Sequence, residues 1–154
     1  MIEKHLAHYL RTIRQIRDKV SDHVYAGRIP SKAKPRFAIM LRRVAGSRSY
    51  NLSSEFTAAQ PIIEIEVVTR QRGGEYTAWQ ILHDCRLALN ALTAGPVLIG
   101  SANDQIQCRG MQVVREATSL PISEGDASAG WIYRHSMDVQ ITHDQDVAFP
   151  LAPT

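Results

Sequence analysis

Two cysteines in 154 residues are too few to staple a fold. Cys85 and Cys108 fall on a predicted helix and a predicted strand, which reads as two buried free thiols in a reducing compartment. A single disulfide between them is the other option. Aromatic residues make up only 6% of the chain, so the successive stacking platforms of single-strand nucleic-acid binders are missing. No apolar run approaches the ~20 residues of a membrane helix, and the N-terminus reads as a basic amphipathic helix, not a signal peptide. No membrane partner is expected. Phosphate loop, dinucleotide fingerprint and nucleophile elbow are all absent, since Gly46-Ser47 and Gly100-Ser101 lack the flanking spacing.

The remaining polar residues announce no catalyst. His5 and His8 lie one turn apart with Glu3 nearby, but no third ligand follows at a fixed spacing. They read as a solvated helix face. His135 lies between Tyr133 and Met137 on an apolar strand face, as a core-edge histidine with one satisfied nitrogen would. Glu64 and Glu66 share a strand face and could mimic paired carboxylates. Facing Arg42 or Arg43 across a hairpin is the simpler explanation, because opposite charges stabilise cross-strand pairs. No enzyme, metal or cofactor is expected.

What is present is an ordinary globular balance, 44% hydrophobic and 21% charged, at a length that suits one domain. Residues 2–20 read as a helix, with Leu6, Leu10, Ile13 and Ile16 on one stripe and Arg11, Arg14 and Arg17 off it. Val24 to Pro30 is a short extended piece. Phe37–Val44 and Pro61–Arg70 are strand candidates, joined by a long Gly-, Ser-, Asn- and Ala-rich connection, Ala45–Gln60. Glu75 to about Ala94 is a second helix with Tyr76, Trp79, Leu82, Cys85, Leu89 and Leu92 as its stripe, stopped by Gly95-Pro96. Ile106–Thr118 is a third strand, and Gly110 marks a bulge where the apolar phase changes. From Trp131 to Thr142 the chain alternates strictly: Trp131, Tyr133, Met137, Val139 and Ile141 form a buried face, and Arg134, Ser136, Asp138 and Gln140 a wet one. The expected fold is α+β, two helices packed on one face of a mostly antiparallel four-stranded sheet, in the order α-β-β-α-β-β. One domain is expected over 1–148. Phe149-Pro-Leu-Ala-Pro-Thr154 cannot continue a sheet and reads as an extended tail over 149–154.

Charge is unevenly spread. Residues 1–50 hold twelve of the eighteen Lys and Arg against three acidic residues, a surplus of +9, whereas residues 51–154 carry −6. A basic half could face nucleic acid. A basic and an acidic face could instead meet between identical subunits packed head to tail. A mixed solvated surface is the third reading.

Several segments, taken in order, resemble the tail terminator, or tail-completion, proteins of long-tailed bacteriophages and phage-like particles. They are the N-terminal amphipathic helix, the Val24-Tyr25-Ala26-Gly27-Arg28-Ile29-Pro30 segment and the strand opened by Pro35-Arg36-Phe37. Next come the Ile62–Thr69 strand before the Tyr76–Leu92 helix, and the closing Tyr133-Arg134-His135-Ser136-Met137-Asp138-Val139 strand. The Val97–Gln105 and Ser119–Gly130 segments are longer than the simplest pattern of such proteins.

The resemblance implies a virion protein of the tail or neck, assembled in the host bacterial cytoplasm as a ring, usually a hexamer. Such a ring caps the head-proximal end of the tail tube, stops its polymerisation and joins the tail to the head connector. Its partners are the tail tube protein, the head-closure or connector protein, and DNA passing through the lumen without sequence reading. The resemblance places the contact surface on the connection at 45–60 and its flanks: Arg42, Arg43, Arg48, Tyr50 and Glu55. Two rivals stand beside it, another neck protein such as a head-closure adaptor, and a small nucleic-acid-binding domain using the basic half.

Overall fold

The computed structural model describes residues 2–30, 32–50, 57–120, 122 and 130–144, with 46–50 and 57–58 described by backbone alone. Among them the chain begins with helices α1 (Ile2–Thr12) and α2 (Arg14–Val20) and strands β1 (Val24–Ala26), β2 (Phe37–Tyr50) and β3 (Thr57–Thr69). Helix α3 (Glu75–Asn90) follows, extended by a 3-10 turn at Ala91–Thr93, then β4 (Val97–Ser101), β5 (Asp104–Ser119) and β6 (Tyr133–Asp144). The strands form one sheet in the order β1-β2-β3-β6-β5-β4. β1 runs parallel to β2, and the other pairings are antiparallel. The sheet curls into a half-barrel: α1 lies against both β1 and β4, the two edges.

This corrects the expected two helices on a four-stranded antiparallel sheet. The N-terminal helix is interrupted at Ile13, whose backbone is extended (φ −80°, ψ 117°). Continued straight from Leu10, the helix would turn Arg14 and Arg17 toward the core. The break instead buries Ile16 and Val20. Strands β1 and β4, three and five residues long, are too short to show a period-two signal. Their strand geometry comes from pairing, Val24 with Ile39 and Ile99 with Ile106. The connection expected at Ala45–Gln60 is largely hairpin, since residues 45–50 pair with 57–62 beyond a register shift at Arg43/Ala45. Hydrogen bonding to a partner strand overrides the low strand propensity of Gly, Ser and Ala there.

The core lies between the helices and the inner face of the sheet. It joins Leu6 and Leu10 of α1, Ile16 and Val20 of α2, and Ile81, Leu82 and Leu89 of α3 to Ile39, Leu41, Ile63, Ile65, Val139 and Ile141. Cys85 and Cys108 are buried free thiols. Burial pushes the Cys85 pKa up strongly and that of Cys108 up to about 12, so both stay protonated. The ladder shifts register between Cys108 and Gly110, where the change of phase placed a bulge. Two stripe residues sit elsewhere than expected. Tyr76 is 71% exposed, with Ala78 and Ile81 buried in its place. Trp131 precedes β6 and packs with Ala38 and Val68 in a separate cluster on the outer face, under the Arg70 guanidinium 4.2 Å from its ring centre. The expected tail at 149–154 lies outside the described residues.

Candidate interaction surface

β3 alternates between two environments. Ile63, Ile65 and Val67 point into the core, while Glu64 and Glu66 point to the outer face, away from the helices. Register sets Arg42 of β2, Glu64 of β3, Asp138 of β6 and Arg115 of β5 side by side in one row. Arg42 pairs with Glu64, as the cross-strand argument anticipated. Arg115 grips Asp138 with two hydrogen bonds, Nε to Oδ2 at 3.0 Å and Nη2 to Oδ1 at 3.1 Å. Its Nη2 also donates to Ser136 Oγ at 2.6 Å. This fork is the geometry for which a guanidinium is suited. The hydrogen bond to Asp138 raises the Arg115 pKa further.

One row over lie Met40, Glu66, Ser136 and Thr118. Glu66 is only 2% exposed, and Arg134 Nη2 lies 2.9 Å from its Oε2. Burial pushes the Glu66 carboxyl pKa up, and the neighbouring Arg134 pulls it back in part. The face expected to be wet along β6 is therefore substantially shielded: Ser136 is fully buried and Arg134 and Asp138 are partly so. Long arginine side chains lying across the strands close over the shorter ones.

The residues assigned to the contact surface separate. Arg42 belongs to the ionic ladder, whereas the Arg43 side chain lies 3.3 Å from the carboxylate of Glu3 on α1. Arg48 and Tyr50 stand in β2 opposite Ala59 and Thr57. Glu55 lies outside the described residues. Arg115 was missed as a member of the charged face, whereas Arg134 was placed on it without its partner Glu66. The phase change at Gly110 hid which way β5 points, and alternation along β6 announced polarity without its partners.

Of the two histidine expectations, the one for His5 is overturned and the one for His135, a buried ring with one bonded nitrogen, holds. His5 is buried, not solvated, and its Nε2 lies 3.0 Å from Asp104 Oδ1. That hydrogen bond holds the Asp104 carboxyl below its usual range. Gly100 makes the approach possible, because a Cβ there would meet His5 Cδ2 at 2.7 Å. His135 is buried, stacked on Trp79 with ring centres 4.3 Å apart, and its Nδ1 lies 3.0 Å from Ser119 Oγ. Burial lowers its pKa and favours the neutral ring, against the opposing influence of Glu75. Among the described residues no group of three or more His, Cys, Asp or Glu could hold a metal ion, and no helix is long and apolar enough to cross a membrane.

Against known proteins, no family model matches this sequence and no curated protein does. The fold has a counterpart among solved structures. It is similar to that of a chain in a gene transfer agent particle. That structure is described as the virion of the native particle, and the likeness has a TM-score of 0.68 at 15% sequence identity. It covers 94% of this chain and 95% of the other. The likeness runs nearly end to end, so it concerns the whole architecture and not one shared hairpin or helix pair.

Proposed function

We propose that this protein is a structural subunit of a phage-like virion, acting as a tail terminator at the head–tail junction. The observation that carries this reading is the nearly end-to-end fold likeness to a chain of a gene transfer agent virion. In this role six copies form a ring on the head-proximal end of the tail tube. One surface of the ring matches the growing tube, and another refuses the next tube ring. The same ring meets the head-closure or connector protein, and DNA passes its lumen without sequence-specific contacts. The work is done by complementary surfaces, with no catalysis, and assembly takes place in the host bacterial cytoplasm. Hairpin β2–β3 is the element proposed to reach a neighbour, the tube or the lumen, through Arg48, Tyr50 and Glu55 with Arg42 and Arg43 at its base.

The test is tail length in particles made without this protein, read by negative-stain electron microscopy. Overlong, headless tubes are the expected result. Tails of normal length that fail to join heads would move the protein to a head-closure role. Complete, infectious particles would overturn the virion reading.

A further inference from the structure

The inner face of β6 carries a histidine near each end. His135 meets α3 through its stack on Trp79. His143 lies at the other end, 6% exposed, opposite Ala59 of β3 and Cys108 of β5. Its Nδ1 stands 2.8 Å from the Asp144 carbonyl oxygen. A carbonyl only accepts, so the neutral ring keeps its proton on Nδ1 and leaves a lone pair on Nε2. That Nε2 is buried with no hydrogen-bond partner among the described residues. A second proton there would make a buried N–H cation with nothing to accept it.

Neighbouring charges oppose that proton as well. His5 and the positive amino end of the helix act on it from α1, and Arg43 acts from β2. The acids of the surrounding elements are engaged elsewhere: Glu3 with Arg43, Asp104 with His5, and Asp144 with Arg109. Cys108 stays an uncharged thiol. Burial first, then these cations, hold the His143 pKa below its ordinary 6.5. Ladder pairing fixes β6 on both sides, whereas α1 is seated by side chains, Ile2, Leu6 and Leu10 in the core and Glu3 on Arg43. The helix is therefore the layer that gives way. We propose that the seating of α1 on the sheet is an acid-sensitive latch, closed while the buried His143 ring is neutral and released when it takes a second proton. The seating is complete above 6.5 and weakens as pH falls from there through the folded value. This latch belongs to the single subunit and stands or falls apart from the virion role.

The test is amide hydrogen exchange of the purified full chain, read over α1 at about pH 7.5 and about pH 5.5 and corrected for the intrinsic pH dependence of exchange. Protection of α1 is expected to fall about tenfold at the lower pH, the limit for one proton at one unit below 6.5. His143→Asn keeps a donor for the Asp144 carbonyl but cannot titrate, and its α1 should be equally protected at both pH values. Helix α3, which meets His135 instead, should keep its wild-type response in that variant. Nuclear magnetic resonance of the wild type needs no variant to fold. In it the His143 midpoint should lie below 6.5 and coincide with that of the α1 amides. Protection of α1 indifferent to pH, a response that survives in His143→Asn, or α1 amides that follow the His5 midpoint would each overturn the proposal. So would a His143 midpoint at or above 6.5, as pairing with the unpartnered Oε2 of Glu3 would give.

Discussion

On the outer face of the sheet, Arg42, Arg115 and Arg134 each meet a carboxylate from a neighbouring strand. At the open side of the half-barrel, Lys4, Arg11 and Arg28 surround a cavity and form no ion pair among the described residues. The difference is one of completion. Charges matched across strands are spent inside the subunit and hold its shape. Around the cavity the cations meet a carbonyl and one aspartate at longer range instead of a closely paired carboxylate. Arginine content alone would not separate the two regions; their partners do.

The largest effect should come from breaking the ladder where it is buried. Arg134→Ala removes the nearest cation from the buried Glu66 carboxylate and should cost about 3–5 kcal/mol of unfolding free energy in a denaturant titration. A loss under about 1 kcal/mol would mean that water reaches the pair. Gly100→Ala comes next. Its φ is +119°, and a Cβ would meet the Asp104 carbonyl oxygen at 2.2 Å as well as His5. A loss of about 1–3 kcal/mol is expected for the strained backbone, measured by the same titration. Melting at full wild-type temperature would show that the β4–β5 turn yields.

The two regions should also titrate in opposite directions. Glu66 has a raised pKa, so its contribution is present below its unfolded value near 4.5 and is lost as pH rises through the folded value. Asp104 has a lowered pKa, so its contribution is present above its unfolded value near 3.8 and is lost as pH falls through the folded value. Comparing Glu66→Gln and Asp104→Asn with the wild type across pH 3 to 7 should therefore remove slopes of opposite sign. Slopes of the same sign would contradict the contrast. The smallest effect on folding belongs to the cavity. Lys4→Glu should leave unfolding free energy within about 0.5 kcal/mol of the wild type, whereas Arg115→Glu should lower it measurably by setting a third carboxylate beside Glu64 and Asp138.

Individual elements were legible along the chain, but the six-stranded sheet they build was not. Alternation located β3 and β6, the stripe from Leu82 to Leu92 located α3, and a change of phase located the irregularity at Gly110. The cross-strand meeting of Arg42 and Glu64 followed from pairing opposite charges across an expected hairpin. The misses have physical causes. Thr12-Ile13 carries no Pro or Gly to announce the helix break, which follows from where Ile16 and Val20 must go. Glu3 and His5 read as solvated because their helix was seen alone, yet both are buried against β2 and the β4–β5 turn. Trp131 has the parity of Met137, but strand alternation applies only within β6, which begins at Tyr133.

What the sequence determined by itself was local: which segments alternate, which carry a helical stripe, and how charge divides between the two halves of the chain. These follow from side-chain periodicity, which each segment carries in its own residues. The tertiary structure decided the curl of the sheet, the recruitment of β1 and β4 as its edges, and the packing of α1 against both. It also decided which arginines found carboxylates and which were left around the cavity. Those outcomes depend on pairing between residues far apart in the chain. Such pairing is set by register and by the packing of one element on another, which no single segment contains.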